Sequence, residues 1–259
     1  MKNSREYIFS YQNMLTTDVP INRHYLLVRC VPSQNDFQQL KELDFASYGF
    51  DVLNDGIDSF GNAICYGGKL HEHKSLMWQS SGVVEQTPYQ EKNRSDPFIY
   101  SLMSSLTCMT SDMKDELFSA DIPKNEFKRA EFLTQKVYSY MEYIPSVTDN
   151  QTTAAQAFHL KKGVCQDYAN LLMSYARALD MPVRYVNGLI CGDGKTHAWV
   201  EFLINDTWYG FDPTHNRKIE YGYIKLAHGR DANDCPVCRG VFMGDALQTM
   251  SVHVCVGEL

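Results

Sequence analysis

Between Asp96 and Pro182 the apolar residues recur at three- and four-residue spacing, while on both sides of that stretch they fall in short runs rich in strand-forming residues. A chain with helical period only in its middle predicts an α+β protein, with helices laid on sheets built from both flanks. The best-defined helix starts at Cys165. Tyr168, Leu171, Leu172, Tyr175, Ala176 and Leu179 form its apolar stripe, and Asp180-Met181-Pro182 ends it. Upstream, Asp96-Pro97 reads as the start of a helix with Phe98, Leu102, Leu106 and Met109 on one side. A further helix follows Pro123, with Phe127, Ala130, Phe132, Leu133, Val137 and Tyr140 facing inward, and a short one covers residues 152–158.

The first ninety residues predict an antiparallel β-sandwich. Tyr7–Met14 and Tyr25–Val31 read as separate strands, divided at Asp18-Val19-Pro20. The cluster Asp58-Ser59-Phe60-Gly61-Asn62 reads as a turn feeding Ala63–Tyr66, and Gly67-Gly68 reads as a break before a strand near Lys69–Met77. The resulting division is an N-terminal β-sandwich over residues 1–90 and a second unit over residues 91–259. The second unit closes with strands near residues 183–190, 196–204, 207–211, 222–227, 240–243 and 247–256.

A formal net charge of −7 denies the chain the basic footprint of a nucleic-acid binder. The start lacks the apolar core of a signal peptide, and no apolar run is long enough for a membrane span. Eight cysteines with no dense staple pattern then predict reduced thiols in the cytoplasm.

Three segments carry candidate chemistry. Cys165 stands in the first turn of its helix, where unpaired backbone N–H groups and partial positive charge favour a thiolate and can hold an oxyanion. Gly163, just before that turn, leaves room for a substrate backbone. Asn205-Asp206 reads as a two-residue hairpin turn, which sets Val200 opposite Phe211 and Trp199 opposite Asp212. Asp212 then lies diagonal to His197 on the same face, within reach of the ring. Trp199 shares that face and is a candidate wall of an acyl site, or a core aromatic. Asp167 points away from the sulfur and suits the backbone of the helix start. One tension stands in this reading. The apolar face of the histidine strand is Ala198, Val200, Phe202 and Ile204, opposite His197.

The blocks Gly163-Val164-Cys165-Gln166-Asp167-Tyr168-Ala169, Thr196-His197-Ala198-Trp199-Val200-Glu201 and Gly210-Phe211-Asp212-Pro213-Thr214-His215 resemble the three signature blocks of the transglutaminase-like superfamily. The tail from Tyr223-Ile224-Lys225 through Gly229-Arg230-Asp231 to Arg239-Gly240-Val241-Phe242 is similar to the bacterial branch labelled as cysteine proteases. The β-rich start resembles that branch's N-terminal domain. The resemblance implies a papain-like core with helices packed on an antiparallel sheet, Cys165 as nucleophile, His197 as general base and acid, and Asp212 as the orienting carboxylate. It implies thiol-dependent acyl transfer at a peptide or other amide by way of a thioester, with hydrolysis preferred to amine cross-linking, and no cofactor. The rival from another class is a binding scaffold that has kept the fold without catalysis.

Two other groups invite a metal reading. Cys235-Pro236-Val237-Cys238 is a lone pair without the second pair of a zinc site. His71 and His73 alternate on one strand and read as an exposed face. Cys30, Cys65, Cys108 and Cys191 give no signal.

Overall fold

The computed structural model describes residues 4–259. Its first element, β1 (Arg5–Val28), is a single strand of 24 residues. Burial alternates along it, with Tyr7, Phe9, Tyr11, Asn13 and Leu15 inward, then shifts phase so that His24, Leu26 and Val28 are inward. The shift occurs at register irregularities between Thr16 and Ile21 and between Asn22 and Tyr25, with Arg23 at φ 48°. Pro20 falls at this bulge, where no ladder bond needs its missing N–H. Asp18-Val19-Pro20 therefore bends one strand where a break between two was expected.

After β2 (Gln38–Tyr48) and β3 (Val52–Ile57), β4 (Ala63–Lys69) runs through Gly67 and Gly68. A Cβ at those positions would lie 2.0 Å from the Val52 carbonyl oxygen and 1.9 Å from that of His24. The glycines thus permit close strand approach, where a break was expected. β5 (His73–Gln86) pairs with the first half of β1 and with β2, while β4 pairs with the second half of β1 and with β3. Both halves of β1 send side chains into one core with Trp78 and Val84. His71 lies outside these strands, and His73 meets His24, ring nitrogen to ring nitrogen, at 3.2 Å.

β6 (Glu91–Lys92) leads into a helical layer: α1 (Phe98–Ser101), α2 (Ser111–Phe118) and α3 (Glu126–Tyr140). The expected helix over Phe98–Met109 is only one turn, because Leu102 is already extended. The buried guanidinium of Arg177 takes the carbonyl of Tyr100 at 3.1 Å and the Thr107 hydroxyl at 2.6 Å, which suits a loop better than a helix. In α3, Asn125 caps the start by accepting from Lys128 N–H at 3.0 Å, and Ala130, Leu133 and Val137 are buried as their spacing predicts. β7 (Glu142–Tyr143), α4 (Ala154–Leu160) and β8 (Lys162–Gly163) precede α5 (Cys165–Arg177). Every residue of α5 from Asp167 to Arg177 is buried, so it is a central helix covered all round.

The chain ends with β9 (Val183–Ile190), β10 (Gly192–Gly194), β11 (His197–Ile204), β12 (Thr207–Asp212), β13 (Arg217–Lys218), β14 (Tyr223–Gly229), β15 (Cys238–Met243) and β16 (Gln248–Glu258). A six-stranded sheet runs β13-β12-β11-β9-β14, with β6 on β12. One face, with Tyr185, Ala198, Val200, Phe202 and Ile204, packs on α5 and its neighbours. The other carries Val186, Trp199 and Tyr223 against Phe37 and Tyr89. β15 and β16 pair with β1, and β10 pairs with β16, so the eight-stranded sheet is built from both ends of the chain. Leu189, Ile224 and Leu226 share its core. The strands β15 and β16 thus cross the division expected at residue 90. The Asp58–Asn62 turn also ties the sheets: Asp58 pairs with Arg29 at 2.7 Å, and Asn62 exchanges bonds of 2.8 Å with the backbone of His228 on β14. The protein is α+β with mainly antiparallel sheets. Among the described residues, no helix is long and apolar enough to cross a membrane.

Candidate active site

Asn205 and Asp206 both have positive φ, 49° and 58°, the signature of a two-residue turn that matches strand twist. Ile204 pairs with Thr207 and Val200 with Phe211, as the expected register requires. This places Asp212 Oδ2 at 2.9 Å from His197 Nε2. Asp212 is fully buried and its oxygens collect further donors: Thr214 N–H at 2.8 Å, His215 Nδ1 at 2.6 Å and the Tyr223 hydroxyl at 2.7 Å. Burial alone would raise its pKa, but the bonds from His197 and His215 outweigh it and hold the carboxyl well below the usual carboxylate range. Burial likewise disfavours an imidazolium at His197; hydrogen bonds to Asp212 and Cys165 prevail and raise its pKa to about 10.

The helix α5 packs on the Ala198 face of β11, opposite His197, yet the Cys165 sulfur is a hydrogen-bonding neighbour of the imidazole. Position resolves the tension. Cys165 is the first residue of α5 and His197 the first of β11, so sulfur and ring meet at the end of the sheet and need not share a face. Asp167 holds this helix start: its Oδ2 accepts from Val164 N–H and from the Thr148 hydroxyl, each at 2.7 Å.

Two expected substrate contacts are corrected. Gly163 is buried, and a Cβ there would come within 2.5 Å of Asp167 Oδ2, so the missing side chain makes room for Asp167. Trp199 is 0% exposed and cannot wall an acyl site. It lies beneath the imidazole, ring centroids 6.4 Å apart, and its Nε1 donates to the Tyr89 hydroxyl at 2.8 Å. His215 and Tyr223 were not singled out from sequence. His215 follows Asp212 by three residues across a turn, a signal that local spacing carries. Tyr223 reaches Asp212 from β14, three strands away, and no local pattern announces it.

Cys165 and His197 share a cleft of about 530 Å³, which Tyr185 and Asn187 also line under the segment Pro236–Gly240. His197 borders a second cleft of about 520 Å³, with Lys195 and His215. Cys235 is buried, and its sulfur meets the carbonyl of Asp231 at 3.6 Å. Among the described residues, the cluster with metal-ligand spacing is His197, Asp212 and His215, whose atoms already bond one another.

Residues 117–213 match the Transglutaminase-like superfamily model. This segment, which holds Cys165, His197 and Asp212, is similar to that superfamily. An uncharacterized protein of Mycobacterium leprae is 30% identical over 131 residues, 47% of each chain. An uncharacterized protein of Mycobacterium bovis is 25% identical over 220 residues, 71% of this chain and 70% of the relative. The match thus spans about half the length of the first relative. The crystal structure of a "putative cysteine protease" from Cytophaga hutchinsonii superposes with a TM-score of 0.83 at 21% identity, covering 99% of this chain and 91% of that one. The two share one fold along nearly their whole length.

Proposed function

We propose that the protein carries out thiol-dependent acyl transfer at an amide, with hydrolysis of a peptide or related amide as the outcome. In this reading the Cys165 thiolate attacks the carbonyl carbon and the C=O pair moves onto oxygen. Collapse expels the amine, which takes a proton from the His197 imidazolium, and leaves a thioester on Cys165. Water, deprotonated by His197, then releases the acid and frees the sulfur. Asp212 holds Nε2 of the ring, which leaves Nδ1 for the sulfur. The observation carrying the proposal is that one imidazole bonds a buried carboxylate and also neighbours a thiol at a helix start.

Hydrolysis is preferred to amine cross-linking because cross-linking needs water kept away, and His197 also borders a second cleft from which water can approach the ring. A reducing compartment, the cytoplasm, suits a thiol nucleophile. The net charge of −7 argues for a peptide-like substrate over nucleic acid. The test is labelling with an acyl-type electrophile followed by peptide mapping. Modification should fall on Cys165, vanish in Cys165→Ala and weaken in His197→Ala. Labelling spread over the exposed thiols Cys108, Cys191 and Cys255, and undiminished in Cys165→Ala, overturns the proposal.

A further inference from the structure

Two polar side chains on one face of β9 line the cleft of Cys165. Tyr185 and Asn187 stand opposite Val200 and Ala198 of β11, on the side that carries α5. Tyr185 is 3% exposed as a residue and lines the cleft. Asn187 makes one long bond, 3.4 Å from Nδ2 to the carbonyl of Cys235, and its buried Oδ1 has no partner. Buried polar groups are nearly always satisfied, so the orphaned Asn187 Oδ1, beside Tyr185 in the cleft of Cys165, marks a polar wall that calls for an occupant. The occupant must accept a hydrogen bond, since a protonated phenol has one to give. Burial, followed by the influence of Cys165, pushes the Tyr185 phenol well above its ordinary value, so it keeps its proton.

We propose that the Tyr185 hydroxyl is an oxyanion donor, holding the substrate's carbonyl oxygen as Cys165 attacks. This rests on the acyl-transfer reading above and adds to it a catalytic residue outside the Cys165–His197–Asp212 set. As the bond from sulfur to carbon forms, the C=O pair moves onto oxygen, and the Tyr185 O–H bonds to that oxygen without transferring its proton. On collapse the pair re-forms C=O, the carbon–nitrogen bond breaks, and the amine leaves with the proton from His197. A donor already fixed in a buried site need not reorganise when the charge appears.

The test compares the wild type with Tyr185→Phe, which keeps the ring and removes only the hydroxyl. Iodoacetamide alkylates the sulfur without forming an oxyanion, whereas acetyl-phenylalanyl-glycinal adds to it and places an oxygen where the donor acts. Urea unfolding and the rate of Cys165 alkylation should be the same in both proteins. Affinity for the aldehyde, read as protection from alkylation, should fall by about 10²-fold in Tyr185→Phe. Equal aldehyde affinity overturns the proposal, and so does a parallel loss with both reagents, which would make Tyr185 a positioning residue for the sulfur. Failure of the acyl-transfer reading looks different: wild-type Cys165 would then react with neither reagent.

Discussion

Nδ1 of His215 lies 2.6 Å from Oδ2 of Asp212, the same oxygen that Nε2 of His197 holds at 2.9 Å. Two imidazoles thus converge on one buried carboxylate oxygen, with ring centroids 5.2 Å apart. Their surroundings differ: the His197 side chain is 8% exposed and neighbours the thiol, whereas that of His215 is 38% exposed and borders the second cleft. The inner ring is the one beside the thiol. The outer one adds a donor to Asp212 from the solvent side.

Asp212→Asn replaces an acceptor with an amide that can present N–H to His197 Nε2 and so disturb its tautomer. The rate of Cys165 acylation should fall by about 10³–10⁴-fold. His215→Ala removes only the outer donor and should cost about tenfold or less, since Thr214 N–H and the Tyr223 hydroxyl remain. Equal losses in the two variants would refute the division of roles.

The pH dependence follows from the two shifts. The His197 pKa is raised from 6.5 to about 10, so its contribution to stability is complete below 6.5 and fades as pH rises through about 10. Asp212 is depressed and has the opposite sign: its contribution is complete above the ordinary carboxylate range and is lost as pH falls toward its folded value. Urea midpoints should therefore fall from about pH 6.5 and level off near pH 10, and Cys165 acylation should decline as the imidazolium is lost near pH 10. A His197→Ala variant whose alkaline decline parallels the wild type would contradict this.

Glu201 is fully buried between Arg184 and Lys225, with Lys225 Nζ at 3.0 Å and the Tyr89 hydroxyl donating to it. Lys225 and Arg184 also share Glu91. Glu201→Ala would leave two buried cations with a single carboxylate and should cost about 3–5 kcal/mol in urea unfolding. Glu201→Gln keeps the shape and should cost less. Because Tyr89 also accepts from Trp199 beneath His197, acylation should slow along with the loss of stability. An unchanged midpoint in Glu201→Ala would show that this cluster is not a stabilising element.

Gly163→Ala puts a methyl group 2.5 Å from Asp167 Oδ2, which two hydrogen bonds hold in place. The clash should destabilise the protein by about 1–3 kcal/mol and slow Cys165 alkylation, because Asp167 caps the helix start that presents the sulfur. Wild-type stability together with wild-type alkylation would mean that this corner is not tightly packed.

Much of the site was legible because its parts are local. The α5 start, the stop at Met181-Pro182 and the turn at Asn205-Asp206 depend on preferences that act over a few residues. A two-residue turn fixes the facing pairs, and through them the approach of Asp212 to His197. The helix expected over Phe98–Met109 had the right spacing, but Arg177, some seventy positions on, claims its backbone. Trp199 and Gly163 were misread for the same reason: the groups that surround them, Tyr89 and Asp167, are side-chain neighbours that composition and period do not reveal.

From residue order alone follow the α+β class, the helix carrying the thiol, and the hairpin that joins ring to carboxylate, since hydrogen-bond ladders and turns obey short-range rules. The fold in space settles the rest. It sends β16 back along β1, brings Tyr223 and His215 onto Asp212, and sets Cys165 beside His197 around a strand end. Those placements arise when distant segments bury apolar surface against one another, and such burial depends on all of them together.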